Sequence, residues 1–147
     1  MSDDESTSRA ASTTNEWNEG IIKEFRSNDG VVGGPFTGAP ILLLHTSGAK
    51  SGHERVNPMM YLPHGERIYV FASKAGAPTN PDWYHNLLAH PKVTVELGTE
   101  TFEAIATPLE GDARDRMYAE QAALYPGFAE YQAKTTRVIP VVEVVRS

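Results

Sequence analysis

The sequence predicts a mainly β domain with a minority of helix (α+β): about six antiparallel strands closed, or nearly closed, into a barrel, with three or four short flanking helices. Three observations carry this. First, the apolar runs at 40–46, 55–62 and 67–73 follow one another with only turn residues between them. A doubly wound parallel sheet needs a helix between successive strands, and these gaps hold none. Second, the alternating segments 92–97 and 101–107 flank Gly98-Thr99-Glu100 as a hairpin. Third, 147 residues of ordinary composition suit one domain. A chain of that size can bury about 68–70% of its unfolded surface, enough for a core without a disulfide or structural metal.

The elements follow in order. Residues 1–14 are rich in Ser, Thr, Asp and Glu, have no periodic apolar face, and are expected to form a flexible polar tail. From Asn15 to Arg26, Trp17, Ile21, Ile22 and Phe25 recur at helical spacing, and Asn28-Asp29-Gly30 ends the helix. Its expected role is to pack on the barrel. Residues 31–40 hold three glycines and two prolines and form a loop. The first strand, 40–46, carries four apolar residues in a row and is buried. Turns at Ser47–Gly52 and at Pro63-His64-Gly65 bound the second strand. In the third, Ile68, Val70 and Ala72 alternate against Tyr69 and Phe71. A loop, 74–80, precedes a short helix through Ala89 whose first turn suits Pro81. After the hairpin, Asp112 is placed to cap a helix to about Leu124. Tyr125-Pro126-Gly127 breaks it, and a short helix follows to Thr135. The last strand, 138–145, contains Pro140, which implies a sheet edge or a bulge. Residues 15–147 thus form one domain, with no internal repeat.

Composition excludes several classes of function. There are no cysteines, which removes disulfides, thiolate metal sites and thiol catalysis and fits a reducing compartment. The five histidines show no metal-ligand spacing, so no metal is assigned. No apolar run reaches the roughly 18 residues of a membrane span, and the acidic start lacks the basic-then-apolar pattern of a secretory signal. A cytoplasmic protein without stable membrane insertion is expected. The net charge of −6 argues against nucleic-acid binding. The charge is uneven, however. Residues 1–30 carry seven acids and three bases, residues 31–74 two acids and four bases, and residues 75–147 ten acids and six bases. A basic middle in an acidic chain is compatible with a local anion site, or with chance.

Three segments could carry chemistry. In the turn Ser47–Gly52, glycines let backbone N–H groups approach a ligand closely, and a turn of this kind can form an anion-binding nest. Lys50 and, just inside the next strand, Arg55 could reach one phosphate. It is not a Walker A loop: Leu44 and Ala49 stand where that motif needs glycine. A solvent-exposed turn with incidental charges is the alternative. In the segment 72–84, small residues after a strand precede Lys74, Asn80 and the aromatics Trp83 and Tyr84 at a helix start, a possible wall for a flat ligand; Trp83 could equally be core. Tyr125, Phe128 and Tyr131, spaced by three, form one aromatic face, either a lid with phenol donors or packing on the barrel. A serine-hydrolase elbow and a Rossmann fingerprint are both absent.

Together these segments resemble the deazaflavin-dependent nitroreductases of actinobacteria. The resemblance rests on Leu44-His45-Thr46-Ser47-Gly48-Ala49-Lys50-Ser51-Gly52, Arg55-Val56-Asn57-Pro58, Ala72-Ser73-Lys74, Asn80-Pro81-Asp82-Trp83-Tyr84-His85-Asn86-Leu87, His90-Pro91-Lys92-Val93 and Tyr125-Pro126-Gly127-Phe128, in that order. It implies a split β-barrel, FMN-binding-like fold. It also implies coenzyme F420, a 5-deazaflavin with a phosphate and an oligoglutamate tail. Carried over, Lys50, Ser51 and Arg55 would hold the phosphate and tail, with Ala49 and Gly52 in the same turn. Val56, Asn57 and Pro58 would line the ring from one side, and Ser73, Lys74, Asn80 and Trp83 from the other. Tyr125, Phe128 and Tyr131 would border the acceptor; family members often carry a tyrosine where this chain has Phe128.

The implied activity is hydride transfer from reduced F420 to an organic acceptor: a quinone, a nitroaromatic or an activated enone. Tyr131, Tyr125 and Ser73 are the candidate donors to the acceptor oxygen. The cofactor carries the difficult chemistry and the protein positions it. Two other readings of the barrel remain at this stage, an FMN-dependent oxidoreductase and a protein that binds the coenzyme without catalysis. A purely structural domain ranks last. Monomer and homodimer are both compatible with the sequence.

Overall fold

The computed structural model describes residues 17–147. The expected tail, 1–14, and the first two residues of the expected helix lie outside them. Helix α1 covers residues 17–27. Strands β1 (Ile41–Ser47), β2 (Glu54–His64) and β3 (Arg67–Phe71) follow, then helix α2 (Asp82–Ala89) and the hairpin β4 (Lys92–Leu97) and β5 (Glu100–Pro108). Helices α3 (Gly111–Leu124) and α4 (Gly127–Lys134) precede β6 (Val141–Arg146). The six strands form a closed antiparallel barrel in the order β1-β2-β3-β6-β5-β4.

The apolar run of β1 is continuous because both faces of that strand are covered. Leu42 and Leu44 point into the barrel with Val70, Val95, Val142 and Val144. Ile41 and Leu43 point outward against Ile21 and Phe25 of α1. With period-two side chains, burial on both faces leaves no position for a polar residue. Trp83 and Leu87 of α2 join the barrel core at one end. On another side, α3 and α4 cover Leu62, Tyr69, Phe71 and Val141 with Met117, Tyr118 and Phe128. Helix α1 therefore packs on the barrel as expected, but Trp17 is 55% exposed, not part of the apolar face. It lies a full turn before Ile21, beyond the strands that cover Ile21 and Phe25.

Helix α1 ends in left-handed residues Asp29 (φ 55°) and Gly30 (φ 92°). A Cβ at Gly30 would sit 2.6 Å from the Gly98 Cα, so glycine is what lets the helix end abut the β4–β5 turn.

Three details differ from the sequence reading. Pro140 is neither at an edge nor in a bulge: β6 begins after it and is hydrogen-bonded to β3 on one side and β5 on the other. Proline, having no N–H, marks where the ladder starts. Asp112 does not cap α3; Glu110 occupies the N-cap position without a side-chain bond, and Asp112 lies inside the first turn, where its charge suits the positive end of the helix. Pro81 sits at the N-cap of α2 and not within its first turn, its carbonyl accepting the Tyr84 N–H at 3.0 Å.

Candidate active site

The site originates in how β2 divides its pairing. Residues 54–60 of β2 pair with β1, whereas only residues 61–64 pair with β3. Beyond Tyr61 the two strands part. The gap opens into a cleft of about 660 Å³, within the range of small-molecule and cofactor sites. Asn57, Met59 and Met60 of β2 form one wall. Phe71, Ser73, Lys74 and Ala75, at and after the end of β3, form the other, and Trp83, Phe128 and Tyr131 close it. Apolar walls with a few polar groups at the rim suit a flat ring system.

The wall after β3 is backbone under strain. Lys74 (φ 47°) and Ala75 (φ 54°) are both left-handed, ahead of Gly76 (φ 80°). Non-glycine residues occupy that region at a cost, and such residues concentrate at functional sites. The turn is held against α4 closely enough that a Cβ on Gly76 would meet the Tyr131 carbonyl oxygen at 2.8 Å. Behind it, Arg137 donates to the carbonyls of Ala77 (Nε, 2.8 Å), Ala72 (Nη1, 3.1 Å) and Ser73 (Nη2, 2.8 Å), and to Asn80 Oδ1 at 2.6 Å. Burial lowers the pKa of this guanidinium from its ordinary value.

A smaller groove of about 370 Å³ adjoins the cleft and shares Asn18 and Asn57 with it. Arg55 and Val56 line this groove, together with Glu19, Arg26 and Glu54. It supplies a cationic side chain beside the cleft, next to carboxylates.

The expected site residues thus divide into groups. Asn57, Ser73, Lys74, Trp83, Phe128 and Tyr131 meet at the cleft. Arg55 and Val56 border the groove. Pro58 is half-buried opposite Leu43 and lines neither cavity. Asn80 stands behind the wall, its oxygen engaged by Arg137. Lys50 and Ser51 are exposed at the tip of the 47–52 turn, outside both cavities.

In that turn the backbone N–H groups of Ala49 and Gly52 already have partners. The Ala49 N–H donates to Asn86 Oδ1 at 2.9 Å, and the Gly52 N–H to the Gly48 carbonyl at 2.8 Å. Both donors are engaged in holding the turn. Tyr125 does not reach the cleft either. Its N–H closes the end of α3 on the Gln121 carbonyl, and its ring packs in the cluster of Met117 and Tyr118. The break at Pro126 turns the chain between Tyr125 and Phe128, so spacing of three does not place them on one helical face.

Sequence reasoning missed Asn18, Phe36, Met59, Met60, Phe71, Ala75, Pro81 and Asp82 at the cleft, Arg137 behind its wall, and Asn86 behind the 47–52 turn. The alternation along β2 could have pointed to Met59 beside Asn57. Nothing local marks Asn18 or Arg137.

The barrel with a cleft where β2 and β3 part invites comparison with known proteins. The model of a family described as F420H(2)-dependent quinone reductase matches residues 19–146. The chain belongs to that family. It is an F420H2-dependent reductase whose cofactor is coenzyme F420. A curated F420H(2)-dependent quinone reductase of Mycobacterium tuberculosis is 36% identical over 126 residues, covering 83% of this chain and 85% of the relative. A second, putative one from the same organism is 33% identical over 103 residues, covering 70% and 87%.

Among solved structures, an F420-H2 dependent reductase (FDR-A) aligns with TM-score 0.66 and 42% identity over 71% of this chain and 93% of that one. One described as a domain-swapped dimer aligns with TM-score 0.68 and 38% identity, covering 92% and 98%. A putative pyridoxamine 5'-phosphate oxidase of Listeria innocua, 12% identical with TM-score 0.54, shares the fold. The family's architecture is thus the split barrel, and the resemblance read from the motifs holds.

The cleft fits the cofactor on chemical grounds. Met59, Phe71, Trp83 and Phe128 offer apolar surface to a planar ring, and Asn57, Ser73 and Lys74 offer polar groups at its rim. Among the described residues, no helix is long and apolar enough to cross a membrane, and no group of three or more His, Cys, Asp and Glu could hold a metal ion.

Proposed function

We propose that the protein reduces a quinone-type acceptor, with reduced F420 seated between the β2 and β3 walls and its anionic tail leaving along the groove beside Arg55. The observation that carries this reading is the cleft at the parting of β2 and β3, which runs past Asn57 into a groove bordered by Arg55. Bound F420H2 supplies a hydride, and everything else falls to the chain. Lys50, Ser51 and Arg55 hold the phosphate and tail, Arg55 as a fork and Lys50 as a mobile point charge. Asn57, with Met59 and Met60, forms one wall, with Val56 bordering the adjoining groove and Pro58 behind the same strand, and Ser73, Lys74 and Trp83 form the other, with Asn80 fixed behind it. Phe128 and Tyr131 border the acceptor. The Tyr131 phenol and Ser73 hydroxyl are the donors for a developing oxygen anion, as preorganised hydrogen bonds in a site screened from water. Tyr125 supports Phe128 from within the same cluster of Met117 and Tyr118.

The test is titration of wild-type protein and of a Lys50→Ala/Arg55→Ala variant with the coenzyme, followed by fluorescence. Loss of both cations raises Kd about ten-fold or more, since hydrogen bonds to charged groups contribute roughly 1.5–3 kcal/mol each. Unchanged affinity overturns the tail placement. An acceptor panel of quinones, nitroaromatics and enones with the reduced coenzyme then identifies the preferred acceptor class. The domain-swapped relative supports a homodimer, and light scattering that returns the mass of a single chain overturns that part.

A further inference from the structure

Arg137 carries charge where the protein offers no countercharge. Its four acceptors, the carbonyls of Ala72, Ser73 and Ala77 and the amide oxygen of Asn80, are all neutral. Among the described residues it forms no ion pair. A partly buried guanidinium without a carboxylate depends on its donors being satisfied by other acceptors. Here a planar fork does what one ammonium cannot: Nε, Nη1 and Nη2 each reach a different part of the 72–80 segment at once.

We propose that Arg137 is a positioning residue that aims the wall of the coenzyme cleft, fixing the 72–77 turn so that the N–H groups of Ser73 and Lys74 face the ligand. This rests on the cleft being the coenzyme site. In a trans peptide the N–H points opposite the carbonyl. The Ala72 and Ser73 carbonyls face Arg137, so the N–H groups of Ser73 and Lys74 face the other way. That other side is the cleft: Ser73, Lys74 and Ala75 line it, whereas Ala72, Ala77 and Arg137 do not. The ligand chemistry that suits such a wall is an electron-rich, carbonyl-bearing edge of a planar ring, attracted by two N–H dipoles with a cation behind them. The left-handed Lys74 and Ala75 are tolerated because this clamp over-determines the turn.

The experiment compares full-length wild type with Arg137→Ala and Arg137→Lys. Hydrogen exchange over residues 72–77 is followed without coenzyme, and affinity for oxidised F420 by fluorescence, each below the variant's own Tm. The expected result for Arg137→Ala is faster exchange confined to that segment and a Kd raised about ten-fold or more. Millimolar guanidinium, which fits the space vacated, restores both while leaving wild type unchanged. Arg137→Lys folds and recovers only part of the affinity, since one ammonium cannot span three carbonyls. A folded Arg137→Ala with wild-type exchange and affinity overturns the proposal. If that variant does not fold, Arg137→Lys decides alone: weakened binding at an unchanged Tm supports the proposal, and wild-type affinity overturns it. Failure of wild type to bind F420 would overturn the coenzyme reading instead; the exchange rates in the unliganded protein would still decide whether Arg137 sets the turn.

Discussion

The Asn86 side chain accepts the Ala49 N–H at 2.9 Å, joining helix α2 to the turn that presents Lys50. Its amide also donates to Thr46 Oγ1 at 3.2 Å, and both Asn86 and Thr46 are buried. Removing the carboxamide leaves a backbone donor and a hydroxyl without partners. Asn86→Ala is expected to lower stability by about 1–3 kcal/mol, the cost of burying unsatisfied polar groups. The urea midpoint measures this. Coenzyme affinity falls with it, because the Lys50 turn loses its anchor on α2; a variant with a lower midpoint and unchanged affinity would show that the turn needs no such anchor.

Gly76→Ala tests how tightly the cleft wall is built. The substitution forces a side chain onto a φ of 80° and places its Cβ 2.8 Å from the Tyr131 carbonyl oxygen and 3.1 Å from the Lys134 Cβ. Strain of this kind costs about 1–3 kcal/mol. Both contacts lie on α4, so relief of the clash moves the turn away from Tyr131. The expected result is a lower midpoint and a weaker coenzyme complex, with the far end of the barrel unaffected by hydrogen exchange.

Glu96 gives a pH dependence whose sign is fixed. Arg26 donates from Nε to Glu96 Oε1 at 3.0 Å, and His45 Nε2 lies 2.6 Å from Glu96 Oε2. The hydrogen bond from Arg26 acts most strongly, and Glu96 is held below the ordinary carboxylate pKa. A carboxyl with a lowered folded pKa contributes stability above its unfolded pKa and loses it as pH falls through the folded value. Because Arg26 is half-exposed, the contribution is about 1 kcal/mol at neutral pH. Glu96→Gln should therefore be less stable than wild type at pH 7, and the difference should shrink in acid. A gap that widens on acidification would contradict the assignment.

Tyr131→Phe separates chemistry from packing. The ring keeps its edge-to-face contact with Phe128 at 5.3 Å, and only the hydroxyl is lost. If that hydroxyl donates to the acceptor, kcat/KM for the acceptor falls about ten-fold or more, while the Kd for coenzyme stays within about two-fold. The opposite pattern would assign the phenol to the coenzyme.

How much of this was legible beforehand varies by residue. The strands were, because burial imposes a period of two and turns punctuate it. The run Ile41–Leu44 announced a buried strand, and the structure covers both its faces, Leu42 and Leu43 facing different clusters. Pro140 was misread because a missing N–H excludes a ladder bond at one residue without saying whether the strand has one neighbour or two. Tyr125 was misread because Pro126 breaks the helix on which its spacing from Phe128 was reckoned. Asn57, Ser73, Lys74 and Trp83 were found through motif order, yet the reason they meet was not visible in that order.

The sequence alone determined the number and order of the strands, the helices around them and the family whose motifs the chain carries. These follow from short-range patterns: period, turn chemistry and residue type within a few positions. Only the tertiary structure decided where β2 exchanges β1 for β3, and hence where the cleft opens; which N–H groups the 47–52 turn has left; and that Arg137 governs a segment 57 to 65 residues before it. Those depend on contacts between distant parts of the chain, set by how the closed barrel brings strand ends and helices together in space, and no local window of residues encodes them.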